Sequence, residues 1–152
     1  MFVRILVPVD YSPSSRASAE YALKLAAKVG AAVDVVHVWD RPTYVSDGVM
    51  VRREGEEQRS LGQLIQENAA SDMKEFMSGL TVPPGVTLGQ RLCSGEPVST
   101  LLAELKKGEH QLVVIGTHGR TGLAHVLLGS VAERLVRFSP VPVLTVPPPG
   151  RS

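Results

Sequence analysis

Hydrophobic positions along this chain switch repeatedly between short unbroken runs and a spacing of three and four residues. Residues 2–7 are apolar except for Arg4, a first strand that ends at Pro8-Val9-Asp10. Ser12-Pro13 then offers an N-cap followed by proline at the first helical position, and Ala19, Ala22, Leu23, Ala26 and Ala27 recur on one helical face before Gly30. Residues 32–39 predict a second buried strand, with β-branched bulk from Val33, Val35, Val36 and Val38. Pro42, Gly48, Gly55 and a run of charges give residues 40–57 no apolar period, so this stretch is expected to be a surface loop. From Glu57 the helical period returns, with Leu61, Leu64, Ile65, Ala69, Met73 and Phe76 on one face and Gly79 near the stop.

Residues 86–93 predict a third strand, less apolar than the others and so nearer an edge. Pro97 starts a helix whose inward face is Val98, Leu101, Leu102 and Leu105, and Gly108 ends it. The run 112–115 is short and β-branched enough for a strand buried on both faces. Val131, Ala132, Leu135 and Val136 mark the buried side of a last helix, broken by Ser139-Pro140. A fifth strand is expected over residues 141–146, Val141 at its start, Val146 at its end and Pro142 inside it. Proline cannot donate to a ladder from a central position, which places this strand at an edge.

This alternation predicts an α/β fold: a single doubly wound five-stranded parallel sheet with helices on both faces, in one domain over residues 1–147 with an extended tail at 148–152. Right-handed crossovers leave two main strand orders, 3-2-1-4-5 and 2-1-3-4-5. Ligands in such sheets bind beyond the carboxyl ends of the strands where the chain reverses. The order 3-2-1-4-5 brings the loop after the fourth strand beside Asp10 after the first, and it is the order expected here.

That loop carries the densest chemistry. In residues 112–136, LVVIGTHGRTGLAHVLLGSVAERLV, Gly116, Gly119, Gly122 and Gly129-Ser130 connect a buried strand to a helix. Glycine lets backbone N–H groups approach a ligand closely, and a helix start adds unpaired N–H groups and a positive dipole end, which together suit phosphate. The same glycines can serve only to turn the chain. A P-loop is excluded because no Gly-Lys pair occurs anywhere, and the dinucleotide fingerprint lacks its Gly-x-Gly pair in the first turn. Asp10 can cap the coming helix or accept hydrogen bonds from a nucleoside. Ser130 can start a capping box with Glu133 or donate to a phosphate oxygen. Arg120 can be solvated or form a bidentate phosphate contact.

Gly116-x-x-Gly119, nine residues, then Gly129-Ser130 resembles the nucleotide-binding signature of the universal stress protein family. The resemblance spans essentially the whole chain, through PVDYS after the first strand, the valine-rich second strand and the closing PVPVLTV. It implies a small cytoplasmic regulatory or sensing domain that binds ATP (or AMP or ADP), with Mg2+ carried by the phosphates, and that dimerises through the last strand. Carried onto this chain, the family's phosphate contacts fall on Gly116, Gly119, Gly129 and Ser130, with His118, Arg120 and Val131 beside them. Its nucleoside contacts fall on Pro8, Val9 and Asp10, and Val38 matches the position whose backbone meets adenine; the valine side chain itself reads as core.

Charge narrows the alternatives. The 16 basic and 15 acidic residues nearly cancel, which points away from nucleic acid and anionic membranes, and no apolar run approaches the roughly 20 residues of a membrane span. The opening MFVRILVPVD does not read as a signal peptide, and the single Cys93 reads as a buried free thiol in a reducing compartment, with a catalytic thiol as the alternative. His37, His110, His118 and His125 lack zinc-binding spacing, and no Gly-x-Ser-x-Gly elbow supports a triad of Ser130, His118 and Asp10. Two further classes stay open: a slow ATPase or adenylate-handling enzyme on the same scaffold, and a nucleotide-free dimeric interaction module docking through residues 40–57.

Overall fold

The computed structural model describes residues 3–40, 50–52, 54–55, 58–118 and 128–149. In chain order these form β1 (Arg4–Pro8), α1 (Pro13–Val29), β2 (Ala32–Trp39), β3 (Met50–Val51), β4 (Arg59–Ser60), α2 (Leu61–Ser78), β5 (Leu88–Ser94), α3 (Pro97–Lys106), β6 (Leu112–Gly116), α4 (Ser130–Phe138) and β7 (Val143–Val146). Five strands make one parallel sheet in the order β5-β2-β1-β6-β7, which is 3-2-1-4-5 when these five are numbered among themselves.

Alternation along the strands separates two cores. Ile5 and Val7 of β1, Val33 and Val35 of β2 and Val114 of β6 face α1 and α2, against Ala22, Leu23, Met73 and Phe76. Leu6, Val36, Val113 and Ile115 face α3 and α4, against Leu101, Leu105, Ala132 and Leu135. Helices on both faces explain why the central strands read as continuous apolar runs and not as alternating ones.

Local signals set the helix ends. Ser12 caps α1 by accepting from the Ser15 N–H at 3.2 Å, Pro13 follows it, and Gly30 closes the helix at φ 72. The second helix begins at Leu61, later than the return of the apolar period, because Ser60 and Gln63 form a capping box with bonds of 3.1 and 3.3 Å.

Four expectations are corrected. Val136, expected on the buried side of the last helix, is 52% exposed, because the inward face of α4 is carried by Ala132 and Leu135. Residues 40–57 are not wholly loop: Met50 pairs with Ser60 and Val51 with Arg59 in a short antiparallel ladder, too brief to give a period, while residues 41–49, 53, 56 and 57 lie outside the described residues. The fifth strand is shorter than 141–146, beginning at Val143. Pro142 stands just before it and contributes only its carbonyl, which accepts from the Val113 N–H at 2.9 Å. Cys93 is half-buried, not buried, and packs against the α3/α4 core, where burial pushes its thiol pKa up. Both edge assignments hold, since β5 and β7 end the sheet. Among the described residues no helix is long and apolar enough to cross a membrane.

From β1 the chain adds strands on one side (β2, β5) and then crosses to the other (β6, β7). The reversal therefore lies between β1 and β6, and the crevice beyond their carboxyl ends is where such a sheet presents ligand sites.

Candidate functional site

A cavity of about 300 Å³ opens at this reversal. The end of β1 supplies Pro8, Val9 and Asp10. The ladder to β2 closes with the Val9 N–H on the Val36 carbonyl at 2.9 Å, after which the chain turns away into α1. Asp10 holds that turn by accepting the Ser12 N–H on Oδ1 at 3.0 Å. It thus supports the capping residue, and the cap itself is Ser12. Val38, on the far side of that last rung, lines the cavity with Val36 and His37.

On the other side β6 delivers Ile115 and Gly116, followed by His118, which is buried and whose Nδ1 pairs with Thr117 Oγ1 at 2.9 Å. Gly116 is glycine for a packing reason: a Cβ there would collide with Ser14 Oγ and stand 3.0 Å from the Ser14 carbonyl oxygen. Its absence lets the first turn of α1 lie directly against the end of β6. Residues 119–127, which include Gly119, Arg120, Gly122 and His125, lie outside the described residues. The two ends of that connection are tied together by the Gly129 N–H donating to the Thr117 carbonyl, while the Thr117 N–H reaches Val146 of β7 at 3.0 Å.

Gly129 is the N-cap of α4, extended at ψ 159 and without a side-chain cap bond. Ser130 is consequently the first helical residue, and of the two roles open to it the capping box with Glu133 does not form; Glu133 is bonded through its side chain to Arg137 instead. Among the described residues no side chain caps the α4 N-terminus, where Gly129, Ser130 and Val131 line the cavity.

Pro97 and Leu101 of α3 and Ser15 of α1, which the sequence reading did not include, complete the walls. The only advance signal for the first two was their place at the start of the apolar face of α3. Glu96 caps that helix by accepting from the Val98 and Ser99 N–H groups at 3.2 and 2.7 Å, and these amide bonds hold its carboxyl below the usual range. Arg134 of α4 approaches Glu96 to 3.6 Å, linking α4 to the N-cap of α3. The cavity thus has an apolar slot between Val36, Val38, Leu101 and Ile115, with a helix N-terminus and a carboxylate beside it. Among the described residues no three His, Cys, Asp or Glu gather as a metal site.

Residues 1–147 match the model of the universal stress protein family. The universal stress protein MJ0531 of Methanocaldococcus jannaschii is 31% identical over 99% of this chain and 85% of its own length. Mycobacterial relatives are longer, and the chain spans 44–45% of them. The solved structure of the protein MJ0577, from Methanocaldococcus jannaschii, superposes with a TM-score of 0.77 at 25% identity, covering 97% of this chain and 96% of that one. Two further structures are described with nucleotide. One is a universal stress protein in complex with cAMP (TM-score 0.61, 23% identity, 95% of this chain and 97% of that one). The other is an Arabidopsis thaliana family member with AMP bound (TM-score 0.56, 16% identity, 97% of this chain and 93% of that one).

Proposed function

Because the chain belongs to the universal stress protein family, we propose that it binds an adenine nucleotide in the cavity between β1 and β6, as a member of the ATP-binding branch, and acts as a small cytoplasmic regulatory or sensing domain. One observation carries this reading: the end of β1 and the start of α4, uncapped among the described residues, face one cavity whose middle is apolar. A planar base fits the slot of Val36, Val38, Leu101 and Ile115, and phosphate fits the α4 N-terminus.

In this reading Gly129, Ser130 and Val131 hold the phosphates, while Pro8, Val9 and Asp10 meet the nucleoside; the family resemblance adds Gly119 and Arg120, which lie outside the described residues, to the phosphate contacts. Gly116 serves by bringing α1 and β6 together, and His118 by closing the wall beside it. ATP, ADP and AMP share these elements, and Mg2+ would arrive on the phosphates. The AMP and cAMP carried by the two structural neighbours support an adenosine ligand. The reading extends to a homodimer along β7, an edge strand beside the exposed Val136 and Phe138 of α4.

Calorimetry of the whole chain with ATP, ADP, AMP and cAMP tests this. At least one should bind at one site per chain, and a ligand at 100 times its dissociation constant should add about 2.7 kcal/mol to stability. Absence of both heat and a melting shift with all four at millimolar concentration would overturn the reading.

A further inference from the structure

β2 outruns β1, and the manner in which it does so leaves one backbone donor without a rung. In a parallel ladder a central strand turns the N–H and C=O of alternate residues toward opposite neighbours. On β2 the even-numbered residues address the β1 side: the Ala32 N–H donates to Val3 O and Val36 O accepts from the Val9 N–H, both at 2.9 Å. The odd-numbered residues address the β5 side, where the Val33 N–H donates to Thr87 O at 2.9 Å and Trp39 O accepts from the Gly95 N–H at 3.1 Å. Val38 therefore faces the β1 side, and the next rung would run from its N–H to the Val9 carbonyl. Among the described residues that rung is absent. The Val9 carbonyl is instead bonded by His37 Nδ1 at 2.8 Å, and because a carbonyl only accepts, Nδ1 carries the hydrogen.

His37 is held in this position from its face. The Tyr11 ring lies 4.3 Å from it, centroid to centroid, at an interplanar angle of 31°, and Tyr11 rests in turn on Phe76 at 5.5 Å. Tyr11 has φ 67, the one non-glycine residue in the left-handed region among the described residues. Bulky side chains rarely adopt that conformation, and it persists only where the surroundings over-determine it. Here it turns the chain between Asp10 and Ser12 while delivering the ring to His37.

We propose that His37 is a positioning residue for the base: by capping Val9 it stops the β1–β2 ladder from zipping one rung further and leaves the Val38 N–H and C=O turned toward the cavity. A donor beside an acceptor matches the edge of adenine, whose N1 accepts and whose 6-amino group donates. Hypoxanthine and guanine reverse that order, so their edges fit only with the base turned over, which carries the ribose away from the phosphate end at α4. The proposal rests on the adenine-nucleotide reading and assigns it a selectivity: AMP over IMP.

Two variants of the whole chain separate the ring from the donor. His37→Phe keeps a ring beside Tyr11 and loses the N–H; His37→Asn keeps an N–H near the Nδ1 position and loses the ring. With both variants melting cooperatively, His37→Phe should bind AMP about tenfold more weakly than the wild type and lose most of the preference over IMP, whereas His37→Asn should stay within about threefold. Residue-resolved amide exchange without ligand gives a second readout. The Val38 amide should exchange rapidly in the wild type and slow in His37→Phe, as the missing rung forms. A Val38 amide already protected in the wild type, or unchanged in His37→Phe, would overturn the role of His37. A wild type that binds no adenine nucleotide would overturn the ligand reading and the selectivity with it, and the exchange result would still decide the ladder.

Discussion

His110 Nε2 donates to Asp34 Oδ2 at 2.8 Å, with the two side chains 0% and 3% exposed. Arg4 Nε reaches the same oxygen at 2.6 Å and Arg91 lies 3.8 Å away, itself bonded to Glu104 at 2.9 Å and Glu109 at 2.6 Å. Gly89 makes the space, since a Cβ there would meet Asp34 Oδ1. The cluster joins β1, β2, β5, α3 and the approach to β6 at the amino ends of the strands, opposite the cavity. It is a fastening on the sheet, separate from the ligand chemistry.

The acid limb of stability should report this cluster. Burial alone would raise the Asp34 carboxyl, but hydrogen bonds from Arg4 and His110 and the positive charge nearby outweigh it and hold the carboxyl below its ordinary value. A carboxyl depressed in the folded state contributes stability that is complete above its unfolded pKa of about 3.9 and is lost as pH falls through the folded value. Urea midpoints should therefore drop between about pH 5 and pH 2. Asp34→Asn should cost about 3 kcal/mol at neutral pH and flatten that dependence. A variant with the wild-type midpoint across this range would show that the cluster contributes nothing.

Gly116→Ala distinguishes packing from ligand contact. The added methyl would meet the Ser14 carbonyl oxygen at 3.0 Å and its carbon at 3.1 Å, so α1 must shift off β6. Chemical denaturation without ligand should show a loss of about 1–3 kcal/mol. Combining it with Ser14→Ala should not restore the loss, because the obstructing atoms include backbone. Full recovery in the double variant would locate the conflict in the hydroxyl alone.

Ser130→Ala separates phosphate contact from capping. The hydroxyl makes no cap bond in α4, so its removal should change stability by no more than about 0.5 kcal/mol. Nucleotide affinity should still fall about fivefold to tenfold, the loss of about one hydrogen bond. Ser12→Ala is the contrasting control, because it removes a true N-cap and should cost about 1 kcal/mol. Calorimetry and melting of the two variants should thus give opposite patterns, and a Ser130→Ala protein that binds normally would remove this residue from the site.

For the dimer, Val143→Lys places a charge on the edge strand, and light scattering should find monomers. Phe138→Ser is the gentler companion, because that ring is 58% exposed and its loss should leave the folded chain intact. Dimers that persist in both variants would refute an interface along β7.

The element order was written in the residues themselves. Switches between strand and helix periods, Ser12-Pro13 at one helix start and Gly30 at its end are encoded within a few neighbouring positions, where backbone preference and apolar spacing act directly. Two-sided burial and right-handed crossovers narrowed the strand order to two, and the meeting of the glycine loop with Asp10 pointed to the one observed. Other features were decided only when distant segments met. Asp34 and His110 stand 76 positions apart, and nothing near either residue marks the pair. Pro97 and Leu101 wall the cavity because α3 packs beside α4, and Gly116 is glycine because of Ser14, about a hundred residues earlier. The residues alone left Ser130 open as a helix cap, and only the fold gave that place to Gly129, pulled toward the Thr117 carbonyl by its own N–H. Local sequence selects the conformation of a segment, whereas the neighbours a side chain meets are set by how whole layers stack, and that is a property of the folded sheet.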